Sequence, residues 1–183
     1  ERIAQSELPQ GLGAVVKLPK RSLADIPIAE DIFIVALEDP QDRGNVGAVV
    51  RTIDAAGGRG VILLGQAVDP YDPEALRTSM GAIFSVPVIN CTTAKFLAWS
   101  DKNKLHLLGT SARANTEFRQ LNYPRPLAIV FGNERVGMSE PLQQTVDTMA
   151  NIPIIGRANS LNLGASVAIM AYQAQGAWND RTV

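Results

Sequence analysis

Short apolar runs alternate with longer amphipathic segments along this chain from residue 31 onwards. The runs at 32–37, 61–64 and 127–131 are apolar almost throughout, which is typical of strands that are buried on both faces. Between the first two runs, Val46, Val49, Val50 and Ile53 recur at helical spacing. Strands that alternate with helices predict an α/β fold, in which a mostly parallel sheet carries helices on both faces.

The remaining elements follow from the same pattern and from their end signals. We predict strands at 32–37, 61–64, 86–89, 105–108, 127–131 and 152–155, and helices at 45–56, 73–80, 94–102, 140–149 and 164–177. Pro87 indicates an edge strand or a strand end, and Ser139 is a typical N-cap. Residues 1–26 are punctuated by proline and glycine and are predicted to be a linker, so the single folded domain would span 27–183.

Composition limits the classes of partner and site. The chain has 17 Lys and Arg against 18 Asp and Glu, so any nucleic-acid partner needs a local basic patch or one supplied from outside this chain. Cys91 and His106 are single residues of their type, which excludes a disulfide framework and a Cys-clustered metal site. We expect both to be structural, and we expect no metal. Without a 20-residue apolar stretch or a signal sequence, the expected location is the cytoplasm, with no membrane partner.

Three polar, glycine-bearing loops follow predicted strands, at 39–47, 132–139 and 156–163. In open parallel sheets, ligands bind at the carboxyl ends of the strands. None of these loops has the pattern of a dinucleotide loop or a P-loop. Each loop also has a purely structural interpretation, namely a solvated helix face around Arg51, a polar turn around Glu134, and a helix cap at Ser160 or Asn162. Gly47, one turn before Arg51, is predicted to leave room for a substrate backbone.

Taken together, the three loops resemble the motifs of the SpoU (TrmH-like) RNA 2′-O-ribose methyltransferases of the SPOUT superfamily. The sequence NVGAVVRT at 45–52 resembles the first motif, IVFGNERVGMS at 129–139 the second, and 152–162 with the helix to 172 the third. The stretch RTSMGA at 77–82 is also similar to one that the family carries. The resemblance spans roughly residues 27–176, in the family's order.

This resemblance implies a fold with a deep C-terminal trefoil knot and a site for S-adenosylmethionine (SAM). The residues that correspond to the family's cofactor-binding positions are Gly132, Ile152, Ile154 and Leu161, and those that correspond to its catalytic positions are Asn45, Arg51, Glu134, Ser160 and Asn162. A guanidinium resists deprotonation, so we expect Arg51 to hold a phosphate and to stabilise alkoxide charge rather than to act as a base. Glu134 and Asn162 would orient Arg51, and Ser160 would contact the ribose or the cofactor.

The implied partners are RNA, with rRNA favoured over tRNA, and a second copy of the chain. The family's sites form at a two-fold interface, so the last helix and Arg51 are expected near it. Residues 8–16 look like the join to a missing N-terminal RNA-binding domain. Arg135 stands where relatives often have glycine and is expected to add a phosphate contact, while Gly164 replaces a frequent serine. The alternatives are a catalytically silent RNA- or ribosome-binding relative and a flavodoxin-like nucleotide-binding domain.

Overall fold

The computed structural model describes residues 14–179, which form a seven-stranded sheet and the helices that cover it. The strands are β1 (Phe33–Glu38), β2 (Val61–Leu64), β3 (Val88–Cys91), β4 (His106–Thr110), β5 (Thr116–Glu117), β6 (Leu127–Phe131) and β7 (Thr148–Asn151). The α-helices are α1 (Arg43–Ala55), α2 (Pro73–Thr78), α3 (Ala82–Ser85), α4 (Thr93–Lys102), α5 (Glu140–Gln143) and α6 (Leu163–Asn179). Two 3₁₀ helices lie at Leu23–Asp25 and Phe118–Gln120.

The strands lie in the order β3-β2-β1-β6-β4-β7-β5, and every pairing is parallel. The predicted parallel α/β architecture is therefore confirmed. All carboxyl ends of the strands meet at one edge of the sheet, because parallel strands run in the same direction. That edge is where the polar loops of the chain come together.

Alternate residues of β1 show which helices cover each face of the sheet. Phe33, Val35 and Leu37 pack in one core with buried residues of α1, α3 and α6. Ile34 and Ala36 pack in a second core with buried residues of α4 and α5. Helices on both faces, as predicted, make every position of β1 buried.

Several boundaries differ from the prediction, chiefly near the weakly paired edge of the sheet. The helix predicted at 140–149 ends at Gln143, β7 begins at Thr148, and the strand predicted at 152–155 is a loop instead. The apolar run at 152–155 was misleading because Pro153 has no backbone N–H to donate. β3 starts one residue after Pro87, while α3 and β5 were missed because they are too short to show a period.

The amino-terminal boundary of the folded domain also differs from the prediction. Residues 1–13, where most of the predicted linker and the predicted domain join lie, are outside the described residues. Residues 14–22 contain no helix or strand, but Ile26 is only 2% exposed and packs in the second core. The folded domain therefore includes the 3₁₀ helix at Leu23–Asp25 and Ile26, which the prediction placed in the linker.

Candidate active site

A cavity of about 770 Å³ lies at the carboxyl ends of β4, β6 and β7. Its lining consists of residues 110–114, 131–138 and 160–163, together with Asn45, Gln143, Met149, Ala150, Ile152, Ile154 and Ser166. Its wall therefore includes segments of all three predicted motifs. The second and third motifs supply loops, and the first supplies Asn45 from α1.

Three predicted site residues form one hydrogen-bonded chain on this wall. The Asn162 side-chain amide donates to Asn45 Oδ1 at 2.8 Å. The Asn45 amide in turn donates to Glu134 Oε1 at 3.5 Å, and the backbone N–H of Gln41 lies 3.5 Å from Glu134 Oε2. The two contacts between side chains join residues that are separated by 89 and 117 positions in the sequence. The structure thus brings Asn45, Glu134 and Asn162 together.

Helix ends place the two asparagines. Asp42 is the N-cap of α1, and its carboxylate accepts from the Asn45 backbone N–H at 2.6 Å, which fixes the first turn of that helix. Asn162 Oδ1 accepts from the Ala165 N–H at 3.3 Å at the start of α6. Asn162 therefore caps a helix, as its structural interpretation predicted, and contacts Asn45 with the same side chain.

The loop after β6 is a tight turn that depends on Gly132 and Asn133. A Cβ at Gly132 would lie 2.0 Å from the backbone nitrogen of Met138, so only glycine fits there without a shift. Asn133 Oδ1 accepts from the N–H groups of Arg135 and Val136 at 2.9 and 3.2 Å. Its side-chain amide donates to the Asp39 carbonyl at 2.8 Å, which ties this loop to the loop after β1. No role was predicted for Asn133, although its position directly after Gly132 was a signal for a turn.

The predicted cofactor-binding residues Gly132, Ile152, Ile154 and Leu161 all line the cavity, as does Ser160. The two isoleucines come from the loop after β7, and Leu161 lies just before α6, where it is 39% exposed. Together with Phe131, Met138, Met149 and Leu163, these side chains form the apolar part of the wall. Such a mixture of apolar surface and a few polar groups is common in small-molecule sites.

Arg51 is the one predicted catalytic residue that does not lie on the cavity wall of this single chain. It is exposed on α1, six residues after Asn45, which corresponds to about 9 Å along the helix axis. Its guanidinium forms no hydrogen bond or ion pair with another residue of 14–179.

The prediction for Gly47 is wrong. A Cβ at Gly47 would lie 2.3 Å from the carbonyl oxygen of Ala75 and 2.0 Å from Thr78 Oγ1. The residue is buried where α1 packs on α2. Its lack of a side chain therefore serves the contact between two helices and leaves no room for a substrate.

Thr110, the last residue of β4, and the loop after it at 111–114 also line the cavity and were not predicted as part of the site. The small polar pair Thr110-Ser111 at the end of an apolar run was the available signal. His106 lies at the opposite end of β4, where Nε2 is 3.1 Å from Thr148 Oγ1, so its structural interpretation holds. Burial raises the pKa of the Cys91 thiol, which agrees with an inert cysteine.

A membrane-spanning helix and a metal-binding cluster are both absent from the described residues. Among residues 14–179, no helix is both long and apolar enough to cross a membrane. Within the same range, no cluster of three or more His, Cys, Asp or Glu residues could hold a metal ion.

Known proteins resemble this chain over most of its length. A Streptomyces viridochromogenes 23S rRNA (uridine(2479)-2′-O)-methyltransferase is 31% identical over 176 residues, which cover 93% of this chain and 61% of that enzyme. A Bacillus subtilis 23S rRNA (guanosine(2553)-2′-O)-methyltransferase is 28% identical, over 95% of this chain and 68% of that enzyme. This chain thus spans about two thirds of the length of these relatives.

Solved structures give the same picture. The crystal structure of AviRb, a SpoU methyltransferase from Streptomyces viridochromogenes, matches with a TM-score of 0.86 at 29% identity. The match covers 91% of this chain and 68% of the AviRb chain. An AdoMet-bound rRNA methyltransferase from Sinorhizobium meliloti matches with a TM-score of 0.82 at 34% identity. This match covers 86% of our chain and 61% of that chain. Residues 32–172 match the model of the SpoU rRNA Methylase family, and the chain belongs to that family.

Proposed function

We propose that this chain transfers a methyl group from SAM to a ribose 2′-hydroxyl of RNA, with rRNA favoured over tRNA. The observation that carries the proposal is the hydrogen-bonded chain Asn162–Asn45–Glu134 on the wall of a cavity that also contains Gly132 and Leu161. The relatives named as 23S rRNA 2′-O-methyltransferases support the same activity and the preference for rRNA. Work on rRNA would place the protein in the cytoplasm.

The cavity fits SAM in size and in character. A volume of about 770 Å³ lies within the range of roughly 300–1,000 Å³ that is common for ligand sites. Gly132, Ile152, Ile154 and Leu161 would hold the cofactor, and the missing side chain at Gly132 allows the tight turn that lines the cavity. When bound, SAM supplies an electrophilic methyl group on a sulfonium. Methyl transfer discharges the sulfonium. A partly apolar, poorly hydrated wall would therefore disfavour the charged reactant relative to the transition state.

The polar residues of the site would position the ribose. Its hydroxyl is weakly acidic, so it needs alignment, and the charge that develops on oxygen needs a partner. Asn45 and the Gln41 N–H hold the two oxygens of Glu134 in place, so that Glu134 can accept a hydrogen bond from the substrate. Ser160, on the same wall, would contact the ribose or the cofactor. Arg51 would supply the positive charge.

The position of Arg51 leads us to propose a homodimer that uses α1 and α6. The sequence of α6 has no charged residue in 17 positions, yet Ala165 and Tyr172 on its outer face are exposed and Ile169 is half-buried. An uncharged, partly apolar helix face is typical of a covered surface. Because α6 packs on α1, a second copy seated there would lie close to the exposed Arg51.

Light scattering at micromolar concentration is expected to give the mass of two chains. Tyr172→Glu places a charge on the proposed interface and is expected to shift the equilibrium to monomers, whereas Lys102→Glu, at the end of α4 on the other face, serves as the control. A wild-type chain that is monomeric and still active would contradict the dimer, and a Tyr172→Glu variant that stays dimeric would contradict this interface.

We also propose the deep C-terminal trefoil knot that the family resemblance implies. β4 and β5 are consecutive along the chain, but β7 lies between them in the sheet. The connection from β4 to β6 therefore passes around the outer edge of β7. The segment after β7 leads to α6, whose Trp178 indole N–H donates to the Tyr123 carbonyl of that connection at 2.7 Å. A crystal structure in which the C-terminal segment passes through no loop of the chain would contradict the knot.

Two measurements on the wild-type chain test the activity. Calorimetry is expected to show binding of S-adenosylhomocysteine and no binding of ATP or NAD, because no glycine-rich phosphate loop follows any of the strands. Tritium from labelled SAM is expected to appear in rRNA as 2′-O-methylribose. Binding of S-adenosylhomocysteine and RNA without transfer would support the silent relative instead. Tight binding of ATP without S-adenosylhomocysteine binding would refute the cofactor.

A further inference from the structure

Two arginines lie on the wall of the cavity, on neighbouring loops. Arg113 follows β4 and Arg135 follows β6, and both line the cavity. β4 and β6 pair in parallel, with His106 opposite Leu127 and Gly109 opposite Val130. The two loops therefore leave the same edge of the sheet side by side.

Each of these arginines is held on an ordered turn by a side chain two residues earlier. The Arg113 backbone N–H donates to Ser111 Oγ at 3.2 Å, and the Arg135 backbone N–H donates to Asn133 Oδ1 at 2.9 Å. Side chains of Ser and Asn commonly stabilise turns in this way. The backbone under both guanidinium groups is thus fixed, while both side chains are exposed.

Neither guanidinium has a protein partner among residues 14–179, in contrast to other arginines of the chain. Arg43 pairs with Asp72 at 3.2 Å, Arg119 pairs with Glu117, and Arg125 lies 3.8 Å from the centre of the Trp178 ring. The cavity wall itself has one acidic residue, Glu134, whose oxygens face Asn45 and the Gln41 N–H. Two arginines against one glutamate leave the wall with one positive charge in excess, although the whole chain has a net charge of −1.

We infer that Arg113 and Arg135 form a phosphodiester-binding site that holds the RNA backbone beside the target ribose. The inference rests on the proposed function, since it assigns a place to the substrate of that reaction. A nucleotide within a strand has one phosphate on each side of its ribose, so two cations on two loops match the two phosphates in number. The planar, forked guanidinium matches a phosphate in geometry. The basic patch that the composition of the chain lacks as a whole is therefore local to this cavity.

The salt dependence of RNA binding measures such contacts directly. Each phosphate contact to a single strand contributes about 0.7 to the slope of the logarithm of the association constant against the logarithm of salt concentration. We would measure this slope for the full chain with a fluorescent oligouridylate between about 50 and 200 mM salt. Arg113→Gln and Arg135→Gln are each expected to reduce the slope by about 0.7, and the double variant by about 1.4.

Arg59→Gln is the matched control, because Arg59 is also exposed and unpaired within the described residues but precedes β2, at the opposite edge of the sheet. Its slope should equal that of the wild type. The affinity for S-adenosylhomocysteine should stay within about twofold in all variants, since these arginines hold the RNA and leave the cofactor untouched.

Three results would overturn the inference: an unchanged slope in the double variant, no binding of the oligouridylate by the wild-type chain, or a tenfold loss of S-adenosylhomocysteine affinity. The last result would mean that the arginines bind the carboxylate of the cofactor. Failure of the proposed function looks different, because the wild-type chain itself would then either not bind S-adenosylhomocysteine or transfer no methyl group to rRNA.

Discussion

Gly47→Ala tests the packing of α1 on α2, which holds Asn45 in the site. The added methyl group would lie 2.3 Å from the Ala75 carbonyl oxygen and 2.0 Å from Thr78 Oγ1. The carbonyl belongs to the backbone of α2 and cannot rotate away, so the two helices must separate. Thr78 is also constrained, because its hydroxyl donates to the Glu74 and Ala75 carbonyls at 2.9 and 3.2 Å.

Two opposing effects set the size of the change in stability. Overpacking a well-packed contact lowers the free energy of unfolding by about 1–3 kcal/mol, and we expect a clash with backbone to lie near the upper end, about 3 kcal/mol. Replacing glycine by alanine within a helix raises the free energy of unfolding by about 1 kcal/mol. The net loss is therefore about 2 kcal/mol, and at about 2–4 °C per kcal/mol for a domain of this size Tm should fall by about 4–8 °C.

Differential scanning calorimetry of three variants separates the causes. Thr78→Ala removes the hydroxyl together with the γ-methyl group and serves as the control, and Gly47→Ala with Thr78→Ala leaves only the backbone clash. We expect the double variant to recover little of the loss, because the Ala75 carbonyl remains in place. If Gly47 instead faced open space, alanine would stabilise the helix by about 1 kcal/mol. A rise in Tm for Gly47→Ala would therefore refute the packing argument.

Three further outcomes are expected. Arg51→Ala should lower methyl transfer at saturating SAM by about 10²-fold or more and change stability by less than about 0.5 kcal/mol, with near-wild-type transfer as the contradicting result. Gly132→Ala places a Cβ 2.0 Å from the Met138 nitrogen and should reduce S-adenosylhomocysteine affinity in calorimetry at least tenfold; unchanged affinity would separate this turn from the cofactor site. Burial raises the pKa of the Cys91 thiol, so a thiol reagent should label it more slowly than glutathione near pH 8.5, where an ordinary thiol is about half ionised; equal rates would contradict this.

The central strands were predictable because burial on both faces makes them continuous apolar runs. β2 and β6 have the predicted bounds, and β1 differs by one residue at each end. β7 was not predictable in this way. Its residues Thr148 and Met149 are half-buried, and its outer neighbour β5 has only two residues, so its sequence, TMAN, shows neither an apolar run nor an alternation. The apolar residues after β7 line the cavity instead.

The location of the site followed from one physical rule, while its internal contacts did not. Loops at the carboxyl ends of parallel strands share an edge of the sheet, so the 39–47 and 132–139 loops could be placed there from the sequence. The 156–163 loop lies at the same edge, but it follows β7 and not the strand predicted at 152–155. The hydrogen bond between Asn162 and Asn45 spans 117 positions, and no local pattern indicates it. The resemblance to the family supplied the residues, and the structure supplied their partners.

Two glycines lie near this contact, on two sides of α1. Gly47 allows α2 to approach α1 closely, and a Cβ at Gly164 would lie 3.7 Å from the Ala48 Cβ and 3.2 Å from Asn162 Oδ1. The start of α6 therefore lies against α1 next to Asn45, where Asn162 can both cap α6 and reach the Asn45 side chain at 2.8 Å. A bulkier residue at position 164 would press on the Asn162 side chain that links the third motif to the first. The departure at Gly164 thus adds room at the point where the hydrogen-bonded chain Asn162–Asn45–Glu134 begins.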